Sequence, residues 1–269
     1  MPVMRSRLLK VFFYLSVGMF FVAVGGAAKT VNQDDLNINR ISGQSLDGVR
    51  NLKILFGHQS IGMNTIAGLR DLARQNAGYS LVIANVSSLA DFNSPKLGHF
   101  RISVNGNPIG KIYEFADWIE NGYGQVVDVA LFKFCPFDIK ADTDVVALFN
   151  TYKRVMASLK VAYPDVAFVY VTCPLVDSED LANVKRNQFN RMLLNEYGSR
   201  EYIFDIAAIE SGHQNGTRAE FTFRGGVYNK LCGEYRVAQD RVHLNEVGRQ
   251  RVAKGMLSLL STIAEKKQR

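Results

Sequence analysis

The sequence predicts one α/β domain built on a parallel, doubly wound sheet of five strands. Three observations lead there. Short apolar runs alternate with amphipathic segments from Leu52 to the end of the chain. The 269 residues suffice for one large core and contain no internal repeat or low-complexity tract. Residues capable of chemistry (Ser60, Cys135, Cys173 and those after Asp205) follow predicted strands. Sheets of this kind bind ligands at the carboxyl ends of their strands.

Each element has its own signal. Residues 29–50 are polar and aperiodic, a linker ahead of a domain at 51–265. Residues 52–56 are an apolar run closed by Gly57, a buried strand. Residues 64–75 place Ile66, Leu69 and Leu72 on one helical face, with Gly78 as the stop. The second strand spans 80–86. Residues 87–111 are rich in Gly, Asn, Pro and Ser, an irregular segment of the kind that carries function. A helix near 112–121 leads into the most apolar strand, 126–134. An amphipathic helix at 143–162 ends before Pro164, and strand 166–172, helix 181–197 and strand 202–206 follow. A loop-rich insertion, 207–242, precedes a closing helix at 246–264.

The first 28 residues have the layout of an export signal. Arg5, Arg7 and Lys10 precede an apolar stretch that ends in Gly26-Ala27-Ala28, small residues suited to cleavage before Lys29. An uncleaved anchor is the competing reading, since the apolar stretch is close to the minimum for a span. The short core and small-residue ending favour cleavage, and either way the domain is exported to the cell envelope or beyond. The membrane is a partner only through an uncleaved N-terminus.

The net charge of +7 falls to +4 without those three basic residues, and the rest are scattered apart from the Lys266–Arg269 tail. This argues against a nucleic-acid partner. Cys135, Cys173 and Cys232 show no metal-ligand spacing and read as small buried thiols, with a Cys135–Cys173 disulfide as the alternative. His58, His99, His213 and His243 also lack ligand spacing, so neither a metal nor another cofactor is expected.

The most specific pattern is Asp240-Arg241-Val242-His243-Leu244-Asn245, just ahead of the final helix. An aspartate three residues before a histidine can turn back onto the inner imidazole nitrogen, leaving the outer one free to take a proton from a nucleophile. Asn245 can cap the final helix, which frees Asp240 for that role. A matching nucleophile is Ser60, in Gly57-His58-Gln59-Ser60 after the first predicted strand. A serine there could instead merely cap a helix. The downstream Asp240 and His243 tip the reading toward a Ser-His-Asp triad.

Ser60 after the first strand and Asp240-x-x-His243-Leu244-Asn245 before the last helix resemble the SGNH/GDSL hydrolase superfamily. The Gly-His-Gln-Ser motif, Lys133-Phe134-Cys135 and Phe204-Asp205-Ile206-Ala207 are similar to an exported, divergent subgroup. The resemblance runs from about Leu52 to Ala264. It implies a flavodoxin-like three-layer α/β/α sandwich and hydrolysis of acyl or acetyl esters on lipids or carbohydrates. Export points to carbohydrate, with a small-molecule or polysaccharide ester as substrate and transfer to a sugar hydroxyl as the alternative outcome.

The sequence departs from the family pattern at the oxyanion hole. Where the family has Gly-x-Asn-Asp, this chain reads Lys133-Phe134-Cys135-Pro136-Phe137-Asp138. Replacement donors are the Ser60 backbone N–H, Lys133, Asn64, Asn93 and His58, with Gly98 or Gly106 as the family's loop glycine. Lys133 is expected to face the reacting carbonyl, the alternative being that it snorkels away beside a helix while Cys135 only packs. His58 either points into the site or packs beneath the loop. Phe223, Tyr228 and Tyr235 are candidates to line an acyl or sugar pocket. The missing asparagine also motivates a rival reading, a non-catalytic carbohydrate-binding protein on the same fold.

Overall fold

A computed structural model describes residues 30–269. The segment expected to direct export, residues 1–28, lies outside the described residues. Among those described, no helix is long and apolar enough to cross a membrane.

Seven parallel strands form the sheet, not five, in the order β1-β7-β6-β5-β2-β4-β3. They are β1 (Thr30–Val31), β2 (Lys53–His58), β3 (Ile83–Asn85), β4 (Lys96–Arg101), β5 (Val129–Phe132), β6 (Ala167–Val171) and β7 (Tyr202–Phe204). The two additional strands are β1 and β4. β4, Lys-Leu-Gly-His-Phe-Arg, lies in the segment expected to be irregular, because its glycine and polar residues mask its apolar positions. It is nonetheless buried from Leu97 to Phe100 between β2 and β3. β1 is only two residues long and gains its strand character from pairing with β7.

The segment expected as a linker is part of the domain. Val31 and Ile38 are buried there, and α1 (Gly43–Arg50) adds Leu46 and Val49 to the core. α1 starts where the Ser42 side chain accepts the Ser45 N–H, a local N-cap invisible to an apolar-period argument.

Helices cover both faces of the sheet. α2 (Ile61–Gln75), α6 (Ile206–Ser211) and α7 (Glu246–Lys267) join α1 on one face, whose core includes Phe56, Ile66, Leu69, Val252 and Leu260. α3 (Pro108–Glu120), α4 (Val145–Ala162) and α5 (Leu181–Tyr197) cover the other, around Phe115, Phe132, Tyr152 and Phe189. The insertion at 207–242 contains an antiparallel hairpin, β8 (Glu220–Phe223) and β9 (Gly226–Asn229).

Chain order reverses at β2. From there the chain runs outward to β3 and β4 on one side, then returns to β5 on the other. Their carboxyl ends therefore flank a topological switch point, with Ser60 directly after β2.

α2 and α7 approach closely. A Cβ on Gly68 would stand 2.2 Å from the Arg249 carbonyl oxygen and 2.9 Å from Ala253 Cβ. Asp71, nearly buried on α2, accepts hydrogen bonds from Arg249 and from Arg74. Gly68→Ala is therefore expected to destabilise the domain by about 1–3 kcal/mol, because backbone rather than a movable side chain occupies the space. Urea unfolding checks this; unchanged stability would show that the helices separate without cost.

Candidate active site

Ser60 sits where β2 turns into α2, with φ 46° and ψ −105°. A left-handed backbone at a non-glycine residue costs on the order of 1–3 kcal/mol and persists only where surrounding structure enforces it. The turn is fixed by Gly62 N–H to Gln59 O at 2.9 Å and Met63 N–H to Ser60 O at 2.7 Å. Gln59 reaches sideways from it, donating to the Ile102 carbonyl at 3.0 Å and to the Ser103 carbonyl. The Ser60 side chain makes no cap bond to its own helix. Its Oγ lies 2.6 Å from His243 Nε2 instead.

His243 comes from a loop closed on itself and on its neighbours. Val237 N–H donates to His243 O at 2.9 Å, and Asn245 N–H to Tyr235 O at 2.9 Å. Asn245 caps α7 by accepting the Gly248 N–H. Asp240 is thereby left to the histidine: Oδ2 is 2.5 Å from His243 Nδ1, while Oδ1 accepts the backbone N–H groups of Val242 and His243. With Nδ1–H committed to Asp240, Nε2 is the acceptor for the Ser60 hydroxyl. Partial burial works against the Asp240 charge, but the bonds from His243 and Val242 outweigh it and hold the carboxyl below its ordinary value. His243 and Asp240 remain 42% and 36% exposed, so the site is open to water.

The nominated oxyanion donors are placed as follows. Asn64 accepts the Leu244 N–H at 3.2 Å through its side-chain oxygen, tethering the histidine loop to α2. Gly106 gives its N–H to Asp138 Oδ1 at 2.7 Å. Gly98 lies within β4, packed on Phe92 and Val86. Asn93 precedes β4 and so sits toward the opposite end of the sheet from Ser60. Lys133 is fully buried, and its Nζ donates to the Phe134 carbonyl at 3.0 Å; burial holds it below the usual lysine value. It neither opens to the site mouth nor reaches solvent.

His58 is packed beneath the loop. It is fully buried, its Nε2 lies 3.2 Å from His99 Nδ1, and a Cβ on Gly62 would strike its ring. The Ser60 N–H at the start of α2 lies beside the Oγ and is placed to serve as a donor, and the Asn64 side chain, whose oxygen alone is taken by Leu244, keeps its amide N–H groups for the same role. Tyr235 is buried, with its hydroxyl on the Gly212 carbonyl, and serves packing rather than a pocket. Tyr228 and Phe223 lie on the β8–β9 hairpin, under the Arg191 and Arg224 guanidiniums respectively. All three cysteines are free, with Cys173 Sγ against the Cys135 carbonyl.

One network around the site was not legible in the sequence. Asp138 accepts from Lys111 Nζ at 2.6 Å, from Cys135 N–H at 2.6 Å and from Gly106 N–H at 2.7 Å. Lys111 also donates to Asn105 Oδ1 at 3.0 Å. The buried pair thus clamps the loop after β4 to the loop after β5, on either side of Ser60. Cys135-Pro136-x-Asp138 carries a capping-box spacing that foretells the local bond. Nothing local foretells Lys111.

No family model matches the sequence, and no curated protein does either. Solved structures match over most of its length. An acetyl esterase variant with acetate ion is 14% identical, covering 80% of this chain and 99% of that chain at a TM-score of 0.50. A family 3 carbohydrate esterase from Talaromyces cellulolyticus gives 14%, 80%, 99% and 0.50. A GDSL-like lipase from Bacteroides thetaiotaomicron is 11% identical, covering 87% of this chain and 99% of that chain at a TM-score of 0.48. At such identities the two likenesses at a TM-score of 0.50 establish the fold alone: an α/β domain with a helix-flanked parallel sheet.

The His58–His99 pair has a measurable signature. Burial, then the charge of Lys133, lowers His58 from 6.5 to about 3. Between those values the unfolded chain takes up a proton that the folded chain refuses. The neutral ring's contribution is thus complete above pH 6.5 and declines as pH falls toward 3. Its slope is at most about 1.4 kcal/mol per pH unit. Urea melts across this window should show stability rising with pH in the wild type and a flatter profile in His58→Gln; equal slopes would remove His58 as the cause.

Proposed function

We propose that the protein is an exported serine esterase of the SGNH/GDSL type acting on acyl or acetyl esters of carbohydrate. The observation that carries the reading is the relay Ser60 Oγ to His243 Nε2 at 2.6 Å and His243 Nδ1 to Asp240 at 2.5 Å. Its serine is held in a strained turn and makes no cap bond. The esterase fold of the solved structures and the exposure of the site support the same reading.

In this mechanism Ser60 Oγ attacks the ester carbonyl carbon as His243 Nε2 takes the hydroxyl proton. The Ser60 N–H, at the α2 N-terminus, faces the developing oxyanion. Collapse of the tetrahedral intermediate expels the alcohol, which leaves with the proton from His243. Water, deprotonated by the same nitrogen, then attacks the acyl-enzyme and releases the carboxylic acid. Asp240 keeps Nδ1 protonated and offsets the imidazolium charge. No step requires a cofactor.

Ser60→Ala in the full-length protein is expected to abolish turnover of short acyl and acetylated-sugar esters and labelling by a serine-reactive phosphonate. Asp240→Asn should lower kcat by as much as about 10⁴-fold while leaving labelling detectable. Undiminished turnover in Ser60→Ala would overturn the assignment.

A specific observation favours a second reading, a binding protein without chemistry. The Gly106 N–H is given to Asp138 and Lys133 and His58 are fully buried, and losing one oxyanion donor costs about 2.7–4 kcal/mol of barrier. A panel of acetylated glycans that bound without being hydrolysed would select it.

A further inference from the structure

The insertion after β7 gathers a set of side chains that the ester chemistry does not use. His213, Cys232 and Glu234 each offer a ligand atom, and the three atoms lie within 4.8 Å of one another. The sequence separates His213 from Cys232 by the whole β8–β9 hairpin. The hairpin returns the chain to its start, through the Gly212–Arg218 bridge and Lys230 N–H to Ala219 O at 2.8 Å.

The backbone at each position is already fixed. His213 N–H donates to Thr217 O, and its carbonyl accepts from Gly216 N–H and from Gln33. Cys232 N–H donates to Glu210 O, and Tyr235 N–H to Cys232 O. Only the thiol is fully buried; His213 and Glu234 are 36% and 50% exposed, so an ion can enter from their side.

We propose that His213, Cys232 and Glu234 bind one divalent cation, zinc by the chemistry of the donors, which braces the loop carrying Asp240 and His243. One imidazole nitrogen, one thiolate and one carboxylate make the borderline-soft set that suits zinc, with water in the fourth position. Ligand atoms around a tetrahedral zinc stand roughly 3.3–3.6 Å apart, given bonds of about 2.0–2.3 Å. His213 Nδ1 and Glu234 Oε1, at 3.1 Å, are already near that spacing, and the sulfur, within 4.8 Å of both, has at most about an ångström to close. On binding, the Cys232 S–H bond breaks, its proton passes to solvent and a sulfur–metal bond forms. Thiolate and carboxylate together carry two negative charges against the one of neighbouring Arg251, which lies over the Tyr235 ring.

The bracing follows from what the turn supports. Glu234 O accepts from Asn245 Nδ2 at 2.8 Å, and Tyr235 O accepts the Asn245 N–H. Arg236 bridges to Leu244 across the base of the loop. A metal that pins Cys232 and Glu234 therefore holds both ends of the segment bearing Asp240 and His243.

The test titrates the metal-free, full-length protein with cobalt(II). One equivalent should bind and produce a near-ultraviolet thiolate-to-cobalt absorption, which zinc displaces. Cys232→Ser should lose that absorption. Glu234→Gln, at an exposed position and confirmed as folded by circular dichroism, should bind at least about tenfold more weakly. Zinc should also slow amide exchange across residues 236–245. A wild type that takes up no cobalt overturns the site. So does absorption that persists in Cys232→Ser, which would place the ion at Cys135 or Cys173. If Cys232→Ser fails to fold, unchanged affinity in Glu234→Gln is decisive against the site. Unaltered exchange overturns the bracing.

Discussion

The close approach of α2 and α7 is the constraint on which the candidate site depends. Ser60 immediately precedes α2 and Asn245 immediately precedes α7, so the spacing and rotation of these helices set the distance from Ser60 to His243. Gly68 permits that spacing, because no side chain stands between its Cα and the Arg249 carbonyl. Asp71 and Arg249 fix the rotation through a nearly buried ion pair. Asn64 adds a tether one turn from the serine, binding the Leu244 N–H. A 2.6 Å contact between residues 183 apart in sequence thus rests on helix packing rather than on the loops alone.

The same packing explains how Ser60 is held in a backbone conformation that an isolated serine would avoid. β2 supplies one side of the turn and the first turn of α2 the other, and His58 lies under Gly62 as a wedge. Using a histidine as a wedge carries a desolvation cost. The ring stays neutral and is paired with His99, and its Nδ1 finds no partner among the described residues. Lys133 and Glu210 extend this buried polar layer, with burial pushing Glu210 up to about 8. Above the layer, Lys111 and Asp138 clamp the two flanking loops; a buried pair of this kind holds geometry more than it adds stability, since desolvation consumes much of the attraction.

Much of this was legible in the sequence because it is local. Five of the strands announce themselves as apolar runs, and Asp240-x-x-His243 and the Asn245 cap act within a few residues of one another. β4 was not legible: burial of Gly98 and His99 follows from neighbouring strands, not from their own character. The arm at residues 30–50 likewise looked like a linker because its few apolar residues are spaced irregularly, though Val31 and Val49 are deeply buried.

By itself, then, the sequence determined the alternation of strands and helices, the order in which serine, aspartate and histidine appear, and the local pairing of Asp240 with His243. Each depends on periodicity or on hydrogen bonds that close within one turn of chain. The tertiary structure decided the number of strands, the contact between Ser60 and His243, the burial of Lys133 and His58 away from the site mouth, and the meeting of His213 with Cys232 and Glu234. The physical reason is common to all four. Whether a polar side chain faces solvent, a substrate or another buried group is set by what the rest of the chain packs against it, and no local pattern records those distant partners.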